Sequence, residues 1–183
     1  MEKLSDRVRV PPSATEPDWS REHLKKWWEP NKQLIKSLRG YQKWQTQGLF
    51  GKLVSKYYVL LHRFWSIVTG ADIPINCQLS GGLILRHPNG VVISPKGTMI
   101  GPNCIIFQQV TIVSHVKIGG NVLIGAGAKI IRPVTVGDNA HIGANAVVLQ
   151  DVPPDSVVAG IPAKLIKTRD GSDKSSFEDQ SFL

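Results

Sequence analysis

Ile100, Ile106, Ile112, Ile118, Ile124, Ile130, Val136, Ile142 and Val148 are nine β-branched aliphatic residues at a strict spacing of six. With one chance in three at each position, such a run arises in a fixed register about once in twenty thousand. A shorter run, Ile73, Leu79, Leu85 and Val91, has the same step. It is offset from the long run by three residues, which predicts a local insertion near Ser94–Thr98. The residue after the aliphatic is often glycine, as at Gly101, Gly119, Gly125, Gly137 and Gly143. The fourth residue after it is small or β-branched, as at Cys77, Cys104, Val110, Val116, Val122, Ala128, Val134, Ala140, Ala146 and Val152. A period of six matches neither the 3.6-residue helix nor the two-residue strand. It matches a triangular β-solenoid with one hexapeptide per face, the aliphatics stacked inside and the tight corners outside.

Outside the repeat the composition changes. Residues 1–66 carry 13 basic and 6 acidic residues and all five tryptophans. Residues 67–150 carry only 5 basic and 2 acidic residues but 12 of the 17 glycines. Residues 151–183 carry 4 basic and 6 acidic residues. The basic, tryptophan-rich block reads as helical. Ser20 is placed to cap a short helix ending before Pro30, and Asn31 to start another that ends at Gly40. Phe50, Val54, Tyr57, Leu61, Phe64 and Val68 then form a helical stripe that Gly70 ends. The expected organisation is a helical region over 1–70, a β-solenoid over 71–166 and a polar tail over 167–183, with residues 1–17 loose.

The 183 residues, 42% apolar and 20% charged, exclude a disordered chain. The apolar stretch from Tyr57 to Val68 is interrupted by His62-Arg63 and does not span a bilayer. Two cysteines and a polar start at Met1-Glu2-Lys3 lead to an expectation of a reducing, cytoplasmic compartment. No nucleic-acid partner is expected. The basic N-terminal block is read as a solvated cap or an oligomer surface, with a membrane-surface contact as the alternative.

The repeat resembles that of the hexapeptide-repeat acyltransferases, over roughly Ala71 to Ile166. The resemblance implies a left-handed parallel β-helix; the hand comes from the family, not from the spacing. Asp72-Ile73-Pro74, followed by Arg86-His87-Pro88-Asn89-Gly90, is similar to the serine acetyltransferase branch. That branch has an Asp-Ile-His-Pro-like segment and, fifteen residues on, an Asp-His-Ala-Thr-Gly-like one; Asp72 and His87 keep that separation. The resemblance implies His87 as general base and Asp72 as the carboxylate that orients it. An alcohol is a poor nucleophile at neutral pH, so an imidazole must take its proton as it attacks a thioester. The bland alternative is a corner histidine satisfied by backbone and an aspartate capping a turn.

Three departures bear on the acceptor. Arg86 stands where the branch has an aspartate for the amino group of serine. Ser114 stands where it has an arginine for the carboxylate. Only Val113-Ser114 separates Ile112 from His115, where the branch has a long glycine-rich extension, so His115 is a substrate-binding candidate in an altered setting. The expectation is therefore transfer to a carbohydrate hydroxyl of a surface polysaccharide, exopolysaccharide or lipid-linked glycan precursor. Arg86, Asn89, Gln108, Gln109 and His115 are the candidate substrate contacts, and serine O-acetylation is the alternative. The resemblance also implies acetyl-CoA as donor, contacted by Ala126, Ala144, Leu149, Gln150, Lys164 and Lys167. It further implies a homotrimer with sites shared between subunits; whether trimers pair through the N-terminal helices stays open. No metal is expected: a γ-carbonic-anhydrase-like site needs a close histidine pair, and His87, His115 and His141 lie 28 and 26 residues apart. A non-catalytic β-helix scaffold is the remaining alternative. His141 reads as an outward corner residue, and Cys77 and Cys104 as structural.

Overall fold

The computed structural model of this chain describes residues 12–168. Two-residue strands repeat around a three-sided parallel β-helix. The first face stacks β1 (Gln78–Leu79), β4 (Met99–Ile100), β7 (Lys117–Ile118) and β10 (Thr135–Val136). The second stacks β2 (Ile84–Leu85), β5 (Ile105–Ile106), β8 (Leu123–Ile124), β11 (His141–Ile142) and β13 (Ser156–Ala159), and the antiparallel β14 (Lys164–Thr168) closes it. The third stacks β3 (Val92–Ile93), β6 (Thr111–Ile112), β9 (Lys129–Ile130) and β12 (Val147–Val148). Asp72 adds one more parallel bridge above Val92.

Every aliphatic of the long run points inward and is essentially buried, from Ile100 through Ile124 to Val148. Burying each such side chain contributes about 1.5–3 kcal/mol, which makes this column the main source of stability. Cys77 and Cys104 fill the small inner position as expected. Burial pushes the Cys77 thiol up to about 11, with the Asp72 carboxylate adding to the effect. Burial pushes the Cys104 thiol up to about 12. Both stay protonated at neutral pH and are poor nucleophiles.

The insertion is divided differently from the sequence expectation. The inward residues Leu85 and Ile93 are eight apart, and Ile93 and Ile100 are seven apart, whereas later steps are six. Two of the three extra residues therefore lie in the corner Arg86–Gly90 and only one in Ser94–Thr98. Val91 satisfies the six-residue step but takes the small inner position, stacked with Val110, Ala128 and Ala146; Ile93 is the strand residue, in register with Ile112. The extra length swells the corner that carries His87.

The N-terminal region differs in two details. Its first element is a 3-10 turn, Trp19–Glu22, capped by Asp18 rather than Ser20: the Asp18 carboxylate accepts from Ser20 N–H at 3.0 Å. Helix α1 (Pro30–Trp44) runs through Gly40. A Cβ at Gly40 would lie 2.1 Å from the Tyr58 ring, so this glycine allows the two helices to approach closely and does not end the first. Helix α2 (Gly48–Thr69) does end at Gly70, which adopts φ 66° and donates its N–H to Ser66 O. The helices belong to the same core as the first coil. Arg39 donates to the carbonyls of Leu79 and Ser80 while paired with Glu22 at 2.9 Å, and Asn31 donates to Leu85 O at 3.0 Å. Residues 12–17 carry no helix or strand, but Asn103 Nδ2 ties the carbonyls of Ser13 and Glu16 to the solenoid. The remainder of the expected loose start and the tail beyond Thr168 lie outside the described residues.

His141 is not the outward corner residue that the sequence suggests. It opens β11, pairs in register with Leu123 and Val157, and is buried rather than at an outward corner.

Candidate active site

Three edges join the three faces, and they differ in chemistry. Between the first and second faces an asparagine stack holds the corner. Asn121 donates to Asn139 Oδ1 at 2.9 Å, and Asn139 donates to Asp155 Oδ1 at 3.0 Å. These amides are committed to each other, so the edge is structural.

The edge between the second and third faces carries most of the sequence candidates. Gly90 N–H donates to Gly70 O, Gln109 N–H to Asn89 O, Gly127 N–H to Gln108 O and Asn145 N–H to Ala126 O, all at 2.8–3.0 Å. This ladder brings Asn89, Gln108, Gln109, Ala126 and Ala144 into one column, headed by the swollen corner of Arg86 and His87. The left-handed conformation recurs down it at Gly70, Gly90, Gln109, Gly127 and Asn145. Gln109, at φ 59°, is the member with neither a missing Cβ nor a short amide side chain to ease that conformation. Its carbonyl accepts from Lys129 Nζ at 2.9 Å, a contact that holds the strained residue. Gln108 Oε1 is buried and has no hydrogen-bond partner among the described residues. An unpaired buried acceptor costs about 1–3 kcal/mol, and a donor on a bound molecule recovers it. A Cβ on Gly125 would lie 2.6–2.9 Å from the backbone of Ile142, Gly143 and Ala144, so this wall is as narrow as backbone contact permits.

His87 is exposed at the corner, and Asp72 is exposed at the head of the third face. Asp72 is held by its backbone, donating to Val91 O at 2.8 Å and accepting from Ile93 N–H at 3.0 Å. Both therefore occupy the top coils on adjoining sides of one edge. Their side chains make no hydrogen bond to each other in this structure, and neither is bonded to another described side chain.

Other candidates lie elsewhere. His115 occupies the edge between the third and first faces at φ 63°, its N–H on Lys96 O at 2.8 Å and its ring over Gly97. Within one chain the third face separates it from His87. Ser114 shares that edge and is bonded to Ser94 at 2.7 Å. Leu149 and Gln150 follow β12 toward the same edge. Lys164 and Lys167 are exposed on β14, at the margin of the second face. The six donor contacts thus divide between two edges and a strand. The three histidines considered as metal ligands occupy two different edges and the second face.

Sequence reasoning missed two features. The hold of Lys129 on Gln109 appears only when the rungs are stacked. A cleft of about 740 Å3 also lies between the 3-10 turn, α1 and β2, and Arg86 shares its lining with Arg21, Lys25 and Lys32. The surplus positive charge of the N-terminal block was its only trace in the sequence.

The bacterial transferase hexapeptide (six repeats) family matches residues 115–150. Among solved structures, the chain is similar to the serine O-acetyltransferase of Brucella melitensis at 31% identity and a TM-score of 0.66, over 78% of this chain and 57% of that one. The Vibrio cholerae serine acetyltransferase matches at 30% identity and 0.66, over 85% and 61%. The Neisseria gonorrhoeae enzyme, solved in complex with serine, matches at 33% and 0.63, over 76% and 58%. No curated protein matches the sequence. The chain thus spans about three fifths of the length of these relatives. The repeat and the fold are those of a hexapeptide β-helix, and the chain is similar to serine acetyltransferases over about three fifths of their length.

Proposed function

We propose that this protein is an acetyl-CoA-dependent O-acetyltransferase whose reaction takes place along the edge headed by His87. The observation that carries the reading is the convergence of that edge. An exposed histidine on a swollen corner stands above a column of amides and small residues that includes one buried, unpaired acceptor, Gln108 Oε1.

In this reading His87 takes the proton of the acceptor hydroxyl, and the Asp72 carboxylate, one face away, stabilises the charged imidazole. Asn89, Gln108 and Gln109 offer amide groups to the acceptor or to the pantetheine arm. Ala126 and Ala144 leave space against the wall, and Lys164 and Lys167 supply cations for nucleotide phosphates. Acetyl-CoA, when bound, supplies the activated thioester carbonyl. Relatives solved with CoA support this choice of donor. Hexapeptide acetyltransferases of this kind are generally trimeric, and a homotrimer accounts for the division of the candidates, because a second subunit can lay another edge against that of His87.

For the acceptor, the similarity to serine acetyltransferases favours L-serine over a carbohydrate. Arg86 and Ser114 favour the second reading, a carbohydrate hydroxyl. Arg86 borders a cleft whose lining sets Arg21, Lys25 and Lys32 against one carboxylate, Asp18, so cations prevail and oppose an ammonium group, and Ser114 offers no charge to a carboxylate. The deciding assay follows thiol release from acetyl-CoA by the purified full-length protein, with L-serine and a panel of sugars and glycans. The first reading predicts L-serine as the best acceptor. The second predicts a carbohydrate as the better acceptor, because the exposed Arg86 repels an ammonium group.

A further inference from the structure

Helix α2 carries an apolar face that no other described residue covers. Leu49, Phe50, Leu53, Tyr57, Leu60, Phe64 and Ile67 are between 51% and 86% exposed. Of the stripe identified from its 4-3-4-3-4 spacing, Phe50, Tyr57, Phe64 and the 40%-exposed Val68 face solvent, whereas Val54 is half-buried and Leu61 packs against the core. The side packed on α1 and the first coil instead carries Gly51, Ser55, His62, Trp65 and Thr69. At about 100° per residue, the exposed apolar side chains occupy roughly 100° of the helix circumference. Lys52, Lys56 and Arg63 form a row along one border of that sector, and all three are exposed.

Helices α1 and α2 carry charge of one sign, and the first acidic residue after them in sequence is Asp72 at the head of the solenoid. From Pro30 to Ala71 there are seven lysines and arginines and no aspartate or glutamate. A second copy of the face would therefore bring no acidic group from α1 or α2 to meet the cationic row. An anionic lipid surface would satisfy both halves at once, with headgroups on Lys52, Lys56 and Arg63 and acyl chains around Leu53, Leu60 and Ile67. The aromatic rings of Tyr57 and Phe64 suit the boundary between the two. No helix among the described residues is long and apolar enough to cross a membrane, so α2 would lie in the interface.

We infer that α2 is an interfacial membrane-docking helix selective for anionic lipid. It ends at the candidate site: Gly70 O accepts from Gly90 N–H at 2.8 Å, and Gly70 lies against Asn89. Docking would hold the His87 edge close to the lipid surface. The inference depends on neither the acceptor nor turnover.

The test is sedimentation of the full-length protein with phosphatidylcholine vesicles and with mixed phosphatidylcholine–phosphatidylglycerol vesicles. Two triple variants accompany the wild type: Leu53→Ser/Leu60→Ser/Ile67→Ser and Lys52→Glu/Lys56→Glu/Arg63→Glu. All six residues are exposed, so helix content and unfolding temperature should stay near wild type. The wild type should bind the mixed vesicles, and each triple variant should bind about a hundredfold more weakly. Wild-type protein that ignores the mixed vesicles, or binds neutral ones equally, overturns the inference. A smaller native mass for the serine variant also overturns it, because a second copy would then be what covers the face.

Discussion

Replacing His87 with alanine should separate catalysis from folding. The side chain is exposed, stands on a corner outside the packed column, and is bonded to no described residue. Surface changes of this kind alter stability by less than about 0.5 kcal/mol. The loss of a general base costs about two to four orders of magnitude in turnover, or about 3–5.5 kcal/mol of barrier. Acetyl-CoA affinity should stay near wild type, because Ala126, Ala144, Lys164 and Lys167 lie on lower rungs and on β14. Three measurements on wild type and variant are required: thiol release, acetyl-CoA titration calorimetry and thermal unfolding. The expected pattern is a large fall in the first and little change in the others. Near-normal turnover would refute the assignment of His87. A collapse in unfolding temperature would refute the reading of its corner as free of structural load.

Further tests follow from the same geometry. Asp72→Asn keeps its backbone pairing with Val91 and Ile93, so the coil should stay folded and turnover should fall less than in His87→Ala. Gly125→Ala places a methyl against three backbone groups of the next rung and should cost about 1–3 kcal/mol, read as a lower denaturation midpoint together with weaker acetyl-CoA binding. His62 is buried between α1 and the segment that follows α2, its Nε2 on Ile73 O at 2.7 Å and its Nδ1 on Ser37 at 3.0 Å, and burial holds its pKa below the usual histidine value. The unfolded chain therefore binds the proton more readily. The stability tied to neutral His62 is present above about pH 6.5 and is lost as pH falls through the depressed folded value. Unfolding temperature should drop on acidification, and the slope should flatten in His62→Gln.

The solenoid was legible because its core is one-dimensional. A column of Ile106, Ile124 and Ile142 records the rung spacing directly in the sequence. The same logic misplaced two of the extra residues. Val91 satisfies a six-residue step while occupying a different inner position, and only hydrogen bonding between rungs distinguishes it from Ile93. Periodicity located the stripe on α2 but did not tell which side packs. The buried side carries Gly51, Ser55, His62 and Thr69 with one large apolar residue, Trp65, and most of the other large apolar side chains were left outside. Gly40 carried a stop signal that close approach to Tyr58 overrode. At the site, Asn89, Gln108, Gln109, Ala126 and Ala144 share a column because the register of the repeat puts them there. The unpaired Gln108 Oε1, the hold of Lys129 on Gln109 and the cationic cleft around Arg86 come from side-chain placement and N-terminal packing, which the repeat does not encode.

Hydrogen exchange of the full-length protein with and without acetyl-CoA tests the central claim most directly. Ligand-induced protection of amides is expected along one edge, from Asn89 through Gln109 and Gly127 to Asn145, with the asparagine edge unchanged. Protection confined to the asparagine edge, or none at saturating acetyl-CoA, would contradict it.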